Sequence, residues 1–148
     1  MISPSLLTKF PVFCGLTDEQ TESIIPLLVQ EEFQDGDIII EECKSNDRIF
    51  FIMKGRVAVT KREKLMTYLD DGDFFGEMEI LDVMAADASI KAISPVTAFT
   101  MSNKALRAIY YIDVKTFSLI VMNLARDLSR RVRKMNEKLS LSEIPILF

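Results

Sequence analysis

Among its 148 residues the sequence has no histidine and only two cysteines. The missing histidine removes Ser-His-Asp and Cys-His nucleophilic pairs, imidazole acid–base work and histidine-based zinc sites together. Cys14 and Cys43 are isolated and match neither a metal-ligand nor a redox spacing, so the chain reads as reduced and cytoplasmic. No apolar run approaches the ~18–20 residues that cross a bilayer. The opening MISPSLLTKFPVF has no basic stretch ahead of its apolar residues and no small-residue cleavage site after them, so no signal peptide is read. Carboxylate- or lysine-based catalysis passes this filter, but no motif promotes it, and the chain is expected to be non-enzymatic.

What is present is an ordinary globular composition, 49% apolar and 27% charged, at a length suited to one domain with one core, residues 1–148. Charge is unevenly spread. Residues 1–100 carry a net −9 and residues 101–148 a net +5. A basic end on an acidic body has two readings, a nucleic-acid contact or a solvated helix face.

Ser3-Pro4 reads as an N-cap with proline at the first helical position, opening a helix to Phe10. Thr17-Asp18-Glu19-Gln20 is a capping box, and Pro26 breaks the helix behind it. Residues 1–32 are therefore read as N-terminal helices. From Phe33 to Met101 short apolar runs alternate with glycine and charged turns: Ile38–Ile40, Ile49–Met53, Val57–Thr60, Leu65–Leu69, Phe74-Phe75, Ser89–Ile93 and Val96–Met101. Such spacing predicts a barrel or jelly roll over residues 33–101. Residues 102–148 return to helical period. Asp113 caps a long helix to Leu139, with apolar positions Val114, Phe117, Val121, Leu124 and Leu128. Arg131 stands at the next seam position, and the stripe resumes at Val132, Met135 and Leu139, a stutter. This helix either pairs with a second copy or packs on its own roll. Pro145 ends it, and Ile146-Leu147-Phe148 are expected to tuck onto the body.

Three segments then carry a family resemblance: Asp35-Gly36-Asp37-Ile38, the hairpin Ile49 to Val59 turning at Gly55, and Leu69-Asp70-Asp71-Gly72-Asp73-Phe74-Phe75-Gly76-Glu77-Met78. In this order, between those helices, they resemble the cyclic-nucleotide-binding domains of catabolite-activator-type regulators and kinase regulatory subunits. The resemblance implies a mainly β fold with flanking α: an eight-stranded antiparallel β-roll (jelly roll), a short cassette helix and a long C-terminal helix. It also implies a phosphate-binding cassette over residues 72–91. There the backbone around Phe75, Gly76 and Met78 opens a helix whose free N–H groups face an anion. Glu77 would accept a ribose hydroxyl; without a ligand it caps that helix or pairs with a nearby lysine. Asp87, Ala88 and Ser89 would line the phosphate side, and Asn136 on the long helix would lie near the base.

The second half of the cassette departs from the family run. Ala86 stands where the phosphate-gripping arginine belongs, Asp87 where a small residue does, and Glu79 is a further acid. Losing one partner of a buried charge pair costs about 2–5 kcal/mol. A carboxylate ~4 Å from a phosphate adds up to ~4 kcal/mol of repulsion at an effective dielectric of ~20. A helix end contributes only ~0.3–2 kcal/mol. Lys91, on the same strand face as Ser89, is the one candidate for compensation. The expected function is a regulatory sensor domain whose cAMP or cGMP binding is weakened or lost. The alternative is a ligand-free dimerisation or docking scaffold. A cyclic nucleotide or another nucleotide-like molecule is the candidate ligand, and no metal is implied. A homodimer through residues 113–139 is the expected assembly. No DNA-binding domain fits before Phe148, and no membrane contact is expected.

Overall fold

A computed structural model describes residues 2–141. The expected seat of Ile146-Leu147-Phe148 and the stop at Pro145 lie outside them. Helix α1 (Pro4–Leu7) starts at Ser3, whose side chain accepts from Leu6 N. It ends earlier than expected, because Pro11 restarts the chain as a 3₁₀ turn, Pro11–Phe13. Helix α2 (Asp18–Ile24) carries the capping box between Thr17 and Gln20, and Pro26 opens a 3₁₀ turn behind it.

Eight strands follow: β1 (Val29–Phe33), β2 (Ile38–Ile40), β3 (Arg48–Lys54), β4 (Val57–Lys61), β5 (Lys64–Leu69), β6 (Phe74–Phe75), β7 (Ser89–Ala92) and β8 (Val96–Ser102). They form two antiparallel four-stranded sheets, ordered β1-β8-β3-β6 and β2-β7-β4-β5. This is the expected roll, with one boundary corrected: β1 begins at Val29, inside the segment read as helical. Glu31 and Glu32 hide it in the sequence. It is tolerated as an edge strand paired with β8 alone, with Glu31 ion-paired to Arg48.

Two cores result. Between the first sheet and the helices lie Phe10, Phe13, Phe51, Phe74 and Phe99 with Ile49, Met101, Ile120 and Leu124. Phe51 stacks on Phe99 at 4.8 Å, and Phe10 meets both rings edge-on. Inside the roll lie Phe50, Ile52, Val57, Phe75, Ala86, Ile90 and Ala92. Strand β3 serves both cores, its alternate residues facing opposite ways, so it reads as one continuous apolar run. Helix α3 (Glu77–Asp82) is the short cassette helix; α4 (Asn103–Ile112) and α5 (Val114–Leu141) close the fold. Asp113 holds the start of α5, accepting from Thr116 Oγ1, Gln20 Nε2 and the Lys115 amide.

The inward line of α5 is Thr116, Ile120, Asn123, Leu124, Asp127 and Arg131. Asn123 donates both amide protons to the carbonyls of Val12 and Cys14 at 2.9 Å, tying the N-terminal turn to α5. The expected stutter disappears. Leu124 and Arg131 face the body, leaving Val121, Ala125, Leu128, Val132 and Met135 as a separate stripe at 4-3-4-3 spacing. Among the described residues no helix is long and apolar enough to cross a membrane.

Candidate functional site

The two residues of β6 divide between the cores. Phe74 faces the helices, and Phe75 stacks on Phe50 inside the roll at 5.0 Å. Gly76 follows with φ of 91°, and a Cβ there would lie 2.4 Å from the Arg48 carbonyl oxygen. Only glycine combines that backbone with that approach, and the neighbour is β3 rather than a ligand. Asn46 bolts the turn down. Its Nδ2 donates to Arg48 O at 2.8 Å and, at 3.3 Å, to Gly76 O and Glu79 Oε1.

Glu77 is buried at the first position of α3, and its partner is an arginine rather than a lysine. Arg131 of α5 donates from Nη1 to Glu77 Oε1 at 2.8 Å and from Nη2 to Phe74 O at 3.2 Å. Its guanidinium lies 4.7 Å above the Phe74 ring, and its Nε lies 2.8 Å from Asp127 Oδ2. Burial pushes the Glu77 carboxyl above its ordinary value, against the pull of Arg131. Glu79 is likewise raised by burial, opposed by its Asn46 hydrogen bond.

The second half of the cassette is held differently. Ala86 exchanges backbone hydrogen bonds with the β2–β3 loop, Cys43 N to Ala86 O and Ala86 N to Lys44 O, both 2.8 Å. Its methyl is buried in the roll interior, so position 86 aims inward but carries no cation. Asp87 points out to an ion pair with Lys61 of β4 at 2.8 Å. Ala88 is half-buried. Ser89 accepts from the Glu42 amide at 2.9 Å, on the strand face opposite Ile90 and Ala92. Lys91 shares that outer face and is exposed, so it offers nothing to the roll interior.

Phe75 lines the roll interior, Glu77 is buried against α5, Ala88 and Ser89 are half-buried, Asp87 is exposed beside Lys61, and Met78 turns to solvent. Asn136 is not brought in. It is exposed and five residues past Arg131, a rotation of about 140° from the face that meets the cassette; Met135 lies nearer that face. The reading from sequence missed Arg131, Asn46 and Lys61. Arg131 had one signal, an arginine at an apolar-stripe position with Asp127 four residues earlier. Asn46 meets Gly76 and Glu79, and Lys61 meets Asp87, each at least 26 residues along the chain, and those pairings had no signal. A surface depression of about 290 Å³ runs along β2 and residues 44–48, bordering the cassette through Lys44, Asn46 and Arg48, and one of about 260 Å³ lies between α1 and the turn at Asp71-Gly72.

A family model described as the cyclic nucleotide-binding domain matches residues 30–112. The chain belongs to that family. It is 29% identical over 140 residues to a CRP-like cAMP-activated global transcriptional regulator of Mycobacterium tuberculosis, covering 91% of this chain and 61% of the regulator's length. A cyclic nucleotide-binding domain of Methylobacillus flagellatus superposes with a TM-score of 0.84 at 19% identity, over 97% of this chain and 84% of its own, a likeness of fold. The regulatory subunit of a cAMP-independent protein kinase A from Trypanosoma brucei superposes at 0.73 with 25% identity, over 83% and 43% of the two chains. A further structure of that subunit, changed from glutamate, threonine and valine to alanine, arginine and alanine at three positions, is bound to cAMP in its A site.

Proposed function

We propose that this chain is a non-enzymatic, cytoplasmic regulatory module in which the cyclic-nucleotide cassette keeps its architecture and has lost its grip on a cyclic phosphate. The observation that carries this reading is Ala86. The position points into the roll interior, its backbone is pinned on both sides, and a methyl stands where a guanidinium would be needed. Lys61 and Arg131, whose side chains reach the cassette, are already engaged, Lys61 by Asp87 and Arg131 by Glu77 and Asp127. The trypanosomal subunit supports the same reading. Its substituted glutamate precedes an adjacent threonine–valine pair by seven residues, the spacing of Glu79 from Ala86-Asp87 here.

The test is a thermal-shift titration with cAMP, cGMP and cyclic dinucleotides, run on the native chain and on the Glu79→Ala, Ala86→Arg, Asp87→Ala variant. The native chain is expected to show no shift at micromolar ligand, and the variant a nucleotide-dependent one. Micromolar binding by the native chain overturns the reading.

The scaffold alternative has its own support on α5. The stripe Val121, Ala125, Leu128, Val132 and Met135 keeps a heptad rhythm and is left half or fully exposed. On one flank of the stripe Met122, Ser129 and Asn136 carry no charge, so in a parallel pair the cations of the other flank, Arg131 and Lys138, face neutral residues. In this arrangement Asn136 flanks the helix pair instead of reading a base. Val132→Glu with Met135→Glu is expected to convert a dimer to monomer in sedimentation; a monomeric native chain removes the dimer from the proposal.

A further inference from the structure

We infer that docking of α5 on the cassette is proton-coupled, because one guanidinium, Arg131, is shared by two largely buried carboxylates, Glu77 and Asp127, and the docked cluster therefore lacks one positive charge. The side chains of Glu77 and Asp127 are 4% and 17% exposed, and each lies 2.8 Å from a nitrogen of Arg131. Asp127 Oδ2 is buried and, despite that approach, accepts no hydrogen bond. The Arg131–Asp127 contact lies within one helix and survives whether or not α5 is docked. What crosses between elements is Arg131 to Glu77 and to the Phe74 carbonyl. If α5 lifts, Glu77 meets water; when α5 docks, its carboxylate is desolvated beside a guanidinium whose charge Asp127 already claims.

The charged groups acting on Glu77 are Arg131 and Asp127 from α5 and Glu79 from its own helix, with β6 contributing only a carbonyl and a ring. Two of the three are acids. Burial is the largest influence on Glu77 and raises its carboxyl from 4.5. A carboxyl that binds its proton more tightly when docked makes docking stronger as pH falls from the raised value toward 4.5, with no further gain below. This ion pair is therefore expected to hold better in mild acid, the reverse of a simple one-to-one salt bridge. The inference concerns α5 and the cassette alone and stands whether or not a nucleotide binds.

Hydrogen exchange of the α5 amides, corrected for the intrinsic pH dependence of exchange, tests it on the whole chain from about pH 7.5 down to about pH 4.5. The native chain is expected to gain protection several-fold toward the lower pH. Asp127→Asn leaves Arg131 and Glu77 one to one; it should raise protection at the higher pH and flatten the dependence. Glu77→Gln should flatten it as well. A flat native profile, or an undiminished slope in both variants, overturns the coupling. So does loss of the slope in Glu79→Gln, which would make Glu79 the titrating group. Both key replacements are near-isosteric, and a melting curve of each confirms that the compared species are folded.

Discussion

The two halves of the cassette are held by opposite means. From Phe74 to Glu77 the determinants are steric and internal: a ring stack, a left-handed glycine pressed against β3, a carboxylate met by α5. From Ala86 to Ser89 the backbone is just as firmly tied, but the side chains that would meet a ligand are a buried methyl and an acid turned outward. The first half therefore looks like a nucleotide site for reasons that need no nucleotide. The second half, where Ala86 and Asp87 stand at the positions the family resemblance gives to an arginine and a small residue, is the half on which the proposed loss of phosphate binding rests. On the proposed function, the motif persists as architecture after its chemistry has gone.

Gly76→Ala is expected to have the largest effect on the first half of the cassette. The strained φ and the 2.4 Å approach to Arg48 O together should cost about 3 kcal/mol or more. Gly72→Ala, where φ is also positive at 90° but nothing lies within 4 Å, should cost only about 1 kcal/mol. Equal losses in chemical denaturation would show that close packing is not what requires glycine at 76. Ala86→Arg alone puts an unpaired cation into the roll interior and should destabilise the ligand-free chain by about 2 kcal/mol. Recovery of that loss on adding cAMP would sharpen the contrast, and an unaffected melting temperature would contradict it. Asn46→Ala leaves two carbonyls and Glu79 short of a donor and should cost about 1 kcal/mol. Lys61→Ala removes an exposed pair at the rim, and a change beyond a few tenths of a kcal/mol would mean Asp87 matters to the fold.

Most of the roll was legible because its strands bury one face or both, and their apolar pattern follows that burial. Strand β1 was not: an edge strand with Glu31 and Glu32 at its centre reads as a helix surface until Arg48 is placed beside it. The long helix was legible in extent and misread in rotation. Its inward line includes Thr116, Asn123, Asp127 and Arg131, polar residues whose placement depends on partners that only the tertiary structure supplies. The short helix expected after Phe75-Gly76 is α3, whereas the place of an arginine at position 86 is an expectation of the family resemblance alone. The guanidinium that does reach Glu77 comes from 54 residues away, a distance no local pattern spans.

Strand β6 is two residues long, and its single internal peptide bond joins the two hydrophobic cores, Phe74 in one and Phe75 in the other. Two cores sharing a peptide bond have no hinge between them. The helical layer and the roll should therefore melt as one foldon, and a probe in either should report the same transition. Cooperativity here comes from brevity: lengthening β6 by a flexible residue is the change most suited to splitting one unfolding event into two.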